Sequence, residues 1–174
     1  MSVVEPSRPP SKKPEPDRSR PSVRVRALQF LARREYTRAE LKARLEGEGA
    51  DAAEVETVLE EFSKSGWISD TRVIEQVAHT RRSRFGSSRI RQELLAKGVP
   101  DHLVEAAMPQ LKEGDIEAAR AIWRKKFGEA PGNAADRARQ LRFLQSRGFS
   151  LDVAMRVVRE AADQSQDRGS RIED

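Results

Sequence analysis

Three glycines, Gly49, Gly98 and Gly148, recur 49 and 50 residues apart, and each sits in the same local pattern. Four residues upstream of each is a leucine: Leu45, Leu94 and Leu144. Eight upstream stand Leu41 and Ile90 in the first two copies, while the third has Gln140 there, with Leu141 beside it. After each glycine comes a short turn and then a stripe of apolar residues at helical spacing: Val55-Val58-Leu59, Leu103-Ala107-Met108 and Val153-Val157-Val158. A period of this length marks a tandem array of supersecondary units. One further helix is expected ahead of each pair, at about 25–35, 72–84 and 116–127. The chain reads as all-α: three tandem three-helix repeats in an elongated array. A single unit of about 45 residues buries too little apolar surface alone, whereas stacked units share interfaces.

Local signals agree with helices throughout. Val55, Val58, Leu59 and Phe62 run i, i+3, i+4, i+7, and Leu103, Val104, Ala107, Met108 and Leu111 form a similar stripe. No run has the period-2 alternation of a strand. Thr37 with Glu40, and Asp51 with Glu54, have capping-box spacing, and Asn133 and Ser150 are expected N-caps. Gly66, Gly114 and Gly128 fall between stripes, as helix stops should.

Composition sets the limits of these units. Six of the nine prolines lie in the first 26 residues, together with seven basic and three acidic residues. Such a segment cannot bury enough apolar surface to offset its ordering entropy. A disordered basic arm is therefore expected over 1–24, with repeats over 25–70, 71–114 and 115–163 and a flexible polar tail over 164–174. The arm has no continuous apolar stretch and is not a signal peptide. Net charge is +5, but unevenly spread: residues 27–70 carry −4, 71–114 carry +3 and 115–163 carry +3. The first repeat is acidic and the other two are basic. No stretch approaches the roughly 20 apolar residues of a membrane span. There is no cysteine, and His79 and His102 are the only histidines, so a thiolate or multi-histidine metal site is not expected. No phosphate-binding glycine loop and no metalloprotease motif occurs. Neither enzyme chemistry nor a cofactor is expected. Trp67 and Trp123 are read as core or inter-unit packing rather than base-stacking platforms.

The sharpest chemical feature is the run RRSRFGSSRIR from Arg81 to Arg91, with five arginines and no acid. Arg81, Arg82 and Arg84 are placed at the end of one helix, Gly86, Ser87 and Ser88 in a turn, and Arg89 and Arg91 in the first turn of the next. A helix dipole favours cations at its C-terminus and opposes them at its N-terminus, so structure alone explains the first three better than the last two. An arginine-rich hinge with free backbone N–H groups can bind phosphate, and it can equally grip carboxylates on a protein. Arg124, Lys125 and Lys126 form a second basic group, preceded by Arg120 and followed by Arg137, Arg139, Arg142 and Arg147. If the units stack, these can line one surface with the first cluster. A helix-turn-helix reader of base sequence is disfavoured. The helices after the glycines begin ADAAEVE, PDHLVEA and SLDVAMR, with almost nothing to reach base edges. Any DNA binding is expected to be backbone-directed and salt-sensitive.

Three stretches together resemble the bacterial RecX regulatory proteins, modulators of the RecA recombinase. Phe62 through Val73, with Gly66-Trp67-Ile68-Ser69-Asp70 inside it, resembles that family's junction between the first two repeats. GSSRIRQELLAKG, from Gly86 to Gly98, is similar to its G-x-x-R-I-x-x-E-L-x-x-K-G signature. RFLQSRGFS, from Arg142 to Ser150, resembles its third-repeat motif. Val73-Ile74-Glu75 departs from the Phe-Ala usual there, and only packing is expected to change. The resemblance covers about residues 25–160. It implies a curved, elongated helical array that binds RecA and lodges in the groove of its filament on single-stranded DNA. It also implies inhibition of the recombinase, ATPase and co-protease activities, hence modulation of DNA repair, recombination and the SOS response in the cytoplasm. The expected partner- or DNA-binding residues are Arg81, Arg82, Arg84, Arg89, Arg91, Arg124, Lys125 and Lys126, with Arg89 foremost among the motif positions. A monomer is expected, since helix faces account for the apolar residues. The alternative reading is a free-standing nucleic-acid-binding protein acting through phosphate contacts.

Overall fold

The Schellman turn explains the repeated glycine pattern. In a computed structural model, which describes residues 21–170 of the chain and side chains as far as Gln164, all three glycines lie in the left-handed region, with φ of 81°, 76° and 86°. At Gly98 the glycine N–H donates to Leu95 O at 2.9 Å, and the next residue, Val99, donates to Leu94 O at 3.1 Å. The same paired bonds close the turns at Gly49 and Gly148. The leucine four residues upstream is thus the residue over which the chain folds back, and it is fully buried in every copy.

Nine helices are found among the described residues: α1 (Val23–Leu31), α2 (Arg38–Gly47), α3 (Ala52–Lys64), α4 (Asp70–Arg81), α5 (Ser87–Ala96), α6 (Asp101–Glu113), α7 (Asp115–Lys126), α8 (Ala134–Ser146) and α9 (Leu151–Ser170). Each consecutive trio packs around its own apolar cluster. The first is centred on Leu41, Leu45, Leu59 and Phe62, the second on Ile90, Leu94 and Val104, and the third on Leu144, Ala154 and Val158. The Thr37 capping box is complete, and Asp51, Asn133 and Ser150 accept the expected backbone N–H bonds. The proline-rich arm as far as residue 20, and residues 171–174, lie outside the described residues. Two boundaries differ from expectation. Val23 is already a core residue, 2% exposed, and α9 runs on past Gln164 to Ser170, a stretch without proline.

One aromatic position also differs. Trp67 is not core: it is 54% exposed. Gly66 ends α3 in another Schellman turn, and Trp67 N donates to Phe62 O at 2.8 Å, so the indole lies outside Phe62 with ring centroids 6.2 Å apart. Trp123 is buried as expected. Its indole N–H donates to Gln140 Oε1 at 2.7 Å, and Gln140 is itself 3% exposed. Gln140 thus fills the place of Leu41 and Ile90 and gives the buried indole N–H its acceptor.

The units join head to tail by one repeated contact. The start of each unit's middle helix abuts the Schellman turn of the following unit. At the first junction Thr37 Oγ1 donates to Lys97 O at 2.5 Å, and a Cβ on Gly98 would stand 2.6 Å from Ala39 Cβ. At the second, Gly86 N donates to Arg147 O at 2.9 Å and Ser88 N to Gly148 O at 3.2 Å. A Cβ on Gly148 would lie 2.6 Å from Arg89 N. Among the described residues, no hydrogen bond or ion pair links the first unit to the third. Among the described residues, no helix is long and apolar enough to cross a membrane.

Candidate partner-binding surface

The arginine-rich hinge is built into the second junction. Arg82, which caps α4, donates from Nη1 to Asp115 Oδ1 at 2.8 Å, and its Nη2 bonds Leu111 O. Asp115 begins α7 and its side chain is only 4% exposed. The same carboxylate accepts from Ser87 N at 2.9 Å and from Ser87 Oγ at 2.6 Å. Ser87 and Ser88 belong to α5 and not to a turn, with Gly86 as a cap that has no side chain to offer. The expectation of free backbone N–H groups at this hinge is therefore corrected. Asp115 and the carbonyls of Arg147 and Gly148 already hold them, because the third unit docks there. The Asp115 anion also answers the dipole of α5, which its own arginines oppose.

The remaining candidates divide by whether a carboxylate holds them. Arg81 lies beside Glu93, with Nε–Oε2 at 2.8 Å and Nη2–Oε1 at 2.9 Å, and this bonding raises its pKa further. Arg91 pairs with Glu105 at 2.7 Å. Arg84, Arg89, Arg124, Lys125 and Lys126 are all exposed and have no acidic partner among the described residues.

Position divides them again. Arg84, Lys125 and Lys126 edge a groove of about 930 Å³ between the end of α4 and the α7–α8 pair. Its floor is Ala118, Ala121, Ile122 and Phe143, and Arg147 completes the rim. Arg82 reaches its wall. Arg81, Arg84 and Arg89 line a second depression with Phe85, Gln92 and Glu93, so Arg84 belongs to both. Arg124 faces elsewhere, with Trp123, Arg120 and Val157. Lys125, Lys126 and Arg147 share the groove with Arg82 and Arg84, whereas Arg120 and Arg124 line a separate depression. Sequence reasoning missed the roles of Ala121, Phe143 and Asp115. A signal for the last was present, because Asp70 and Asp115 each open a unit, 45 residues apart.

The first junction has a different electrostatic character. Glu40 accepts from Arg34 at 3.0 and 3.2 Å, from Lys97 at 3.0 Å and from Thr37 N at 3.3 Å. Burial alone pushes its carboxyl up, but these donors outweigh burial and hold it below the ordinary glutamate value. Asp70 shows the opposite balance. Burial raises its pKa, a hydrogen bond from the Arg38 backbone only partly opposes this, and Oδ1 is buried without a hydrogen-bond partner among the described residues.

Family models for the first, second and third three-helix domains of RecX match residues 24–62, 69–108 and 113–158. The chain belongs to the RecX family. Among its RecX relatives, the regulatory protein of Leptothrix cholodnii is 46% identical over 140 residues, covering 80% of this chain and 89% of that one. The RecX protein of Chromobacterium violaceum is 42% identical over 142 residues, covering 82% and 92%. That of Ralstonia nicotianae is 38% identical over 148 residues, covering 85% and 92%. The crystal structure of RecX from Lactobacillus salivarius has the same fold, with a TM-score of 0.71 over 80% of this chain and 94% of that one, at 18% identity. RecX-family members are regulatory proteins and not enzymes. Among the described residues no cluster of three or more potential metal ligands occurs.

Proposed function

We propose that this chain binds RecA and the RecA filament on single-stranded DNA and inhibits its recombinase, ATPase and co-protease activities, so tempering DNA repair, recombination and the SOS response. It acts in the cytoplasm, as a monomer, and contacts the DNA backbone directly. The observation that carries this reading is the set of cations on the second and third units that no carboxylate among the described residues neutralises, beside a groove with a largely apolar floor. Charges spent on internal pairs hold a fold together, whereas unpaired ones are available to a polyanionic filament. Arg84, Arg89, Arg124, Lys125 and Lys126 are the proposed contacts. Arg81 and Arg91 add to the local field through pairs that a partner can compete for, and Arg82 acts by holding the junction.

The test is the single-stranded-DNA-dependent ATPase of RecA from the same organism, with this protein titrated in. Inhibition at sub-stoichiometric amounts is expected. An unchanged ATPase on confirmed filaments would refute the reading. Tight, steeply salt-dependent DNA binding without RecA would then favour a free-standing nucleic-acid-binding protein.

A further inference from the structure

Resting on the RecA reading above, we propose that the groove between the second and third units takes a protein segment: a short acidic stretch of the recombinase carrying an aliphatic anchor. The floor is mostly aliphatic, where DNA would need aromatic faces. Ala118 and Ala121 leave depth along α7, and Ile122 closes the base. The one aromatic ring in the floor, Phe143, already meets Phe127 edge-on at 5.2 Å and lies under the Arg147 guanidinium at 5.1 Å. With one face of the only ring under Arg147, the floor offers a base little to stack on, and stacking is the main attraction for single strands beyond charge. The cavity lies within the roughly 300–1,000 Å³ typical of ligand pockets.

The rim supplies the second half of the argument. Arg84, Lys125, Lys126 and Arg147 surround the floor, and none has a carboxylate partner among the described residues. The only acid at the edge, Glu117, is bonded to Arg120. An apolar anchor seated on α7, with flanking Asp or Glu side chains reaching these four cations, satisfies both halves together. The depression lined by Arg81, Arg84, Arg89 and the Arg81-paired Glu93 shares only Arg84 with this groove.

The experiment uses the full chain with RecA of the same organism assembled on single-stranded DNA. A photo-reactive benzoylphenylalanine replaces Ser83, an exposed residue at the groove wall. Irradiation is expected to couple it to a RecA peptide in which Leu, Ile, Val, Met or Phe adjoins Asp or Glu. Filling the groove with Ala121→Trp, at an exposed position, is expected to weaken filament binding at least about tenfold with an unchanged melting temperature. The double variant Lys125→Glu, Lys126→Glu should do the same with no added bulk. Coupling to DNA or to a second copy of this chain would overturn the proposal, as would wild-type filament binding by Ala121→Trp. If the unsubstituted chain itself fails to bind filaments, the RecA reading has failed and the groove assignment falls with it.

Discussion

Gly148 and Gly66 separate two costs that the same substitution imposes. Both have positive φ, 86° and 72°, so alanine at either position is forced into the left-handed region, at about 1–2 kcal/mol. At Gly66 a Cβ meets nothing within 4 Å, and strain is the whole effect. At Gly148 it would stand 2.6 Å from Arg89 N and 2.7 Å from Arg89 Cβ. Backbone cannot yield there as a flexible side-chain tip would, so the third unit must back away from α5. That retreat strains or breaks the bonds from Gly86 N to Arg147 O and from Ser88 N to Gly148 O, each worth about 0.5–1.5 kcal/mol net. Gly66→Ala should therefore cost about 1–2 kcal/mol and Gly148→Ala about 2–5 kcal/mol. Urea denaturation of both variants gives the comparison. Trp67 reports on the first unit and buried Trp123 on the third, and in Gly148→Ala the Trp123 transition should move to lower urea first. Equal losses in the two variants, with coincident tryptophan transitions, would refute the account of the junction.

The remaining predictions test charge. Asp115→Ala leaves Arg82 and both Ser87 groups without their acceptor, and breaking a buried pair costs about 3–5 kcal/mol. A fall in melting temperature on the order of 10 °C is expected by differential scanning calorimetry. Arg84→Ala, Lys125→Ala and Lys126→Ala combined should leave the melting temperature unchanged but weaken filament binding, most visibly at low salt. The two junction carboxyls should respond to pH in opposite senses. Glu40 is held below its unfolded value, so its contribution is present above that value and is lost as pH falls through the folded one; Glu40→Gln should abolish this acid-side loss. Asp70 is held above its unfolded value, so stability is lost as pH rises through the folded one. Asp70→Asn should be neutral or stabilising at pH 7 in denaturation curves taken from pH 3 to 8.

The periodic features were legible because each depends on nearby residues. Gly98 with Leu94 describes a complete turn within a few residues, so position alone reveals it. Trp67 misled because an aromatic after a helix-ending glycine covers the core from outside, which composition cannot distinguish from burial. Gln140 looked like a lapse in the pattern until Trp123 stood beside it, 17 residues away in sequence. The basic run was visible, but its division was not. Whether an arginine is spent internally depends on partners such as Asp115, 33 residues from Arg82 and in another unit. The groove has no sequence signature at all, since alanines on a helix advertise nothing until a neighbouring unit forms the opposite wall.

The cap at the start of each middle helix makes the three units non-interchangeable. α5 begins at Gly86, which has no side chain to bond its own first N–H groups and borrows Asp115 and two carbonyls from its successor. α8 begins at Asn133, whose Oδ1 accepts from Asp136 N at 2.8 Å with no help from elsewhere. The second unit's middle helix is thus completed by its successor, whereas α8 is capped by its own Asn133, as α2 is by Thr37. A side chain at position 86 would therefore do more than add a cap: its Cβ would stand 2.6 Å from Gly148 O and wedge the two units apart.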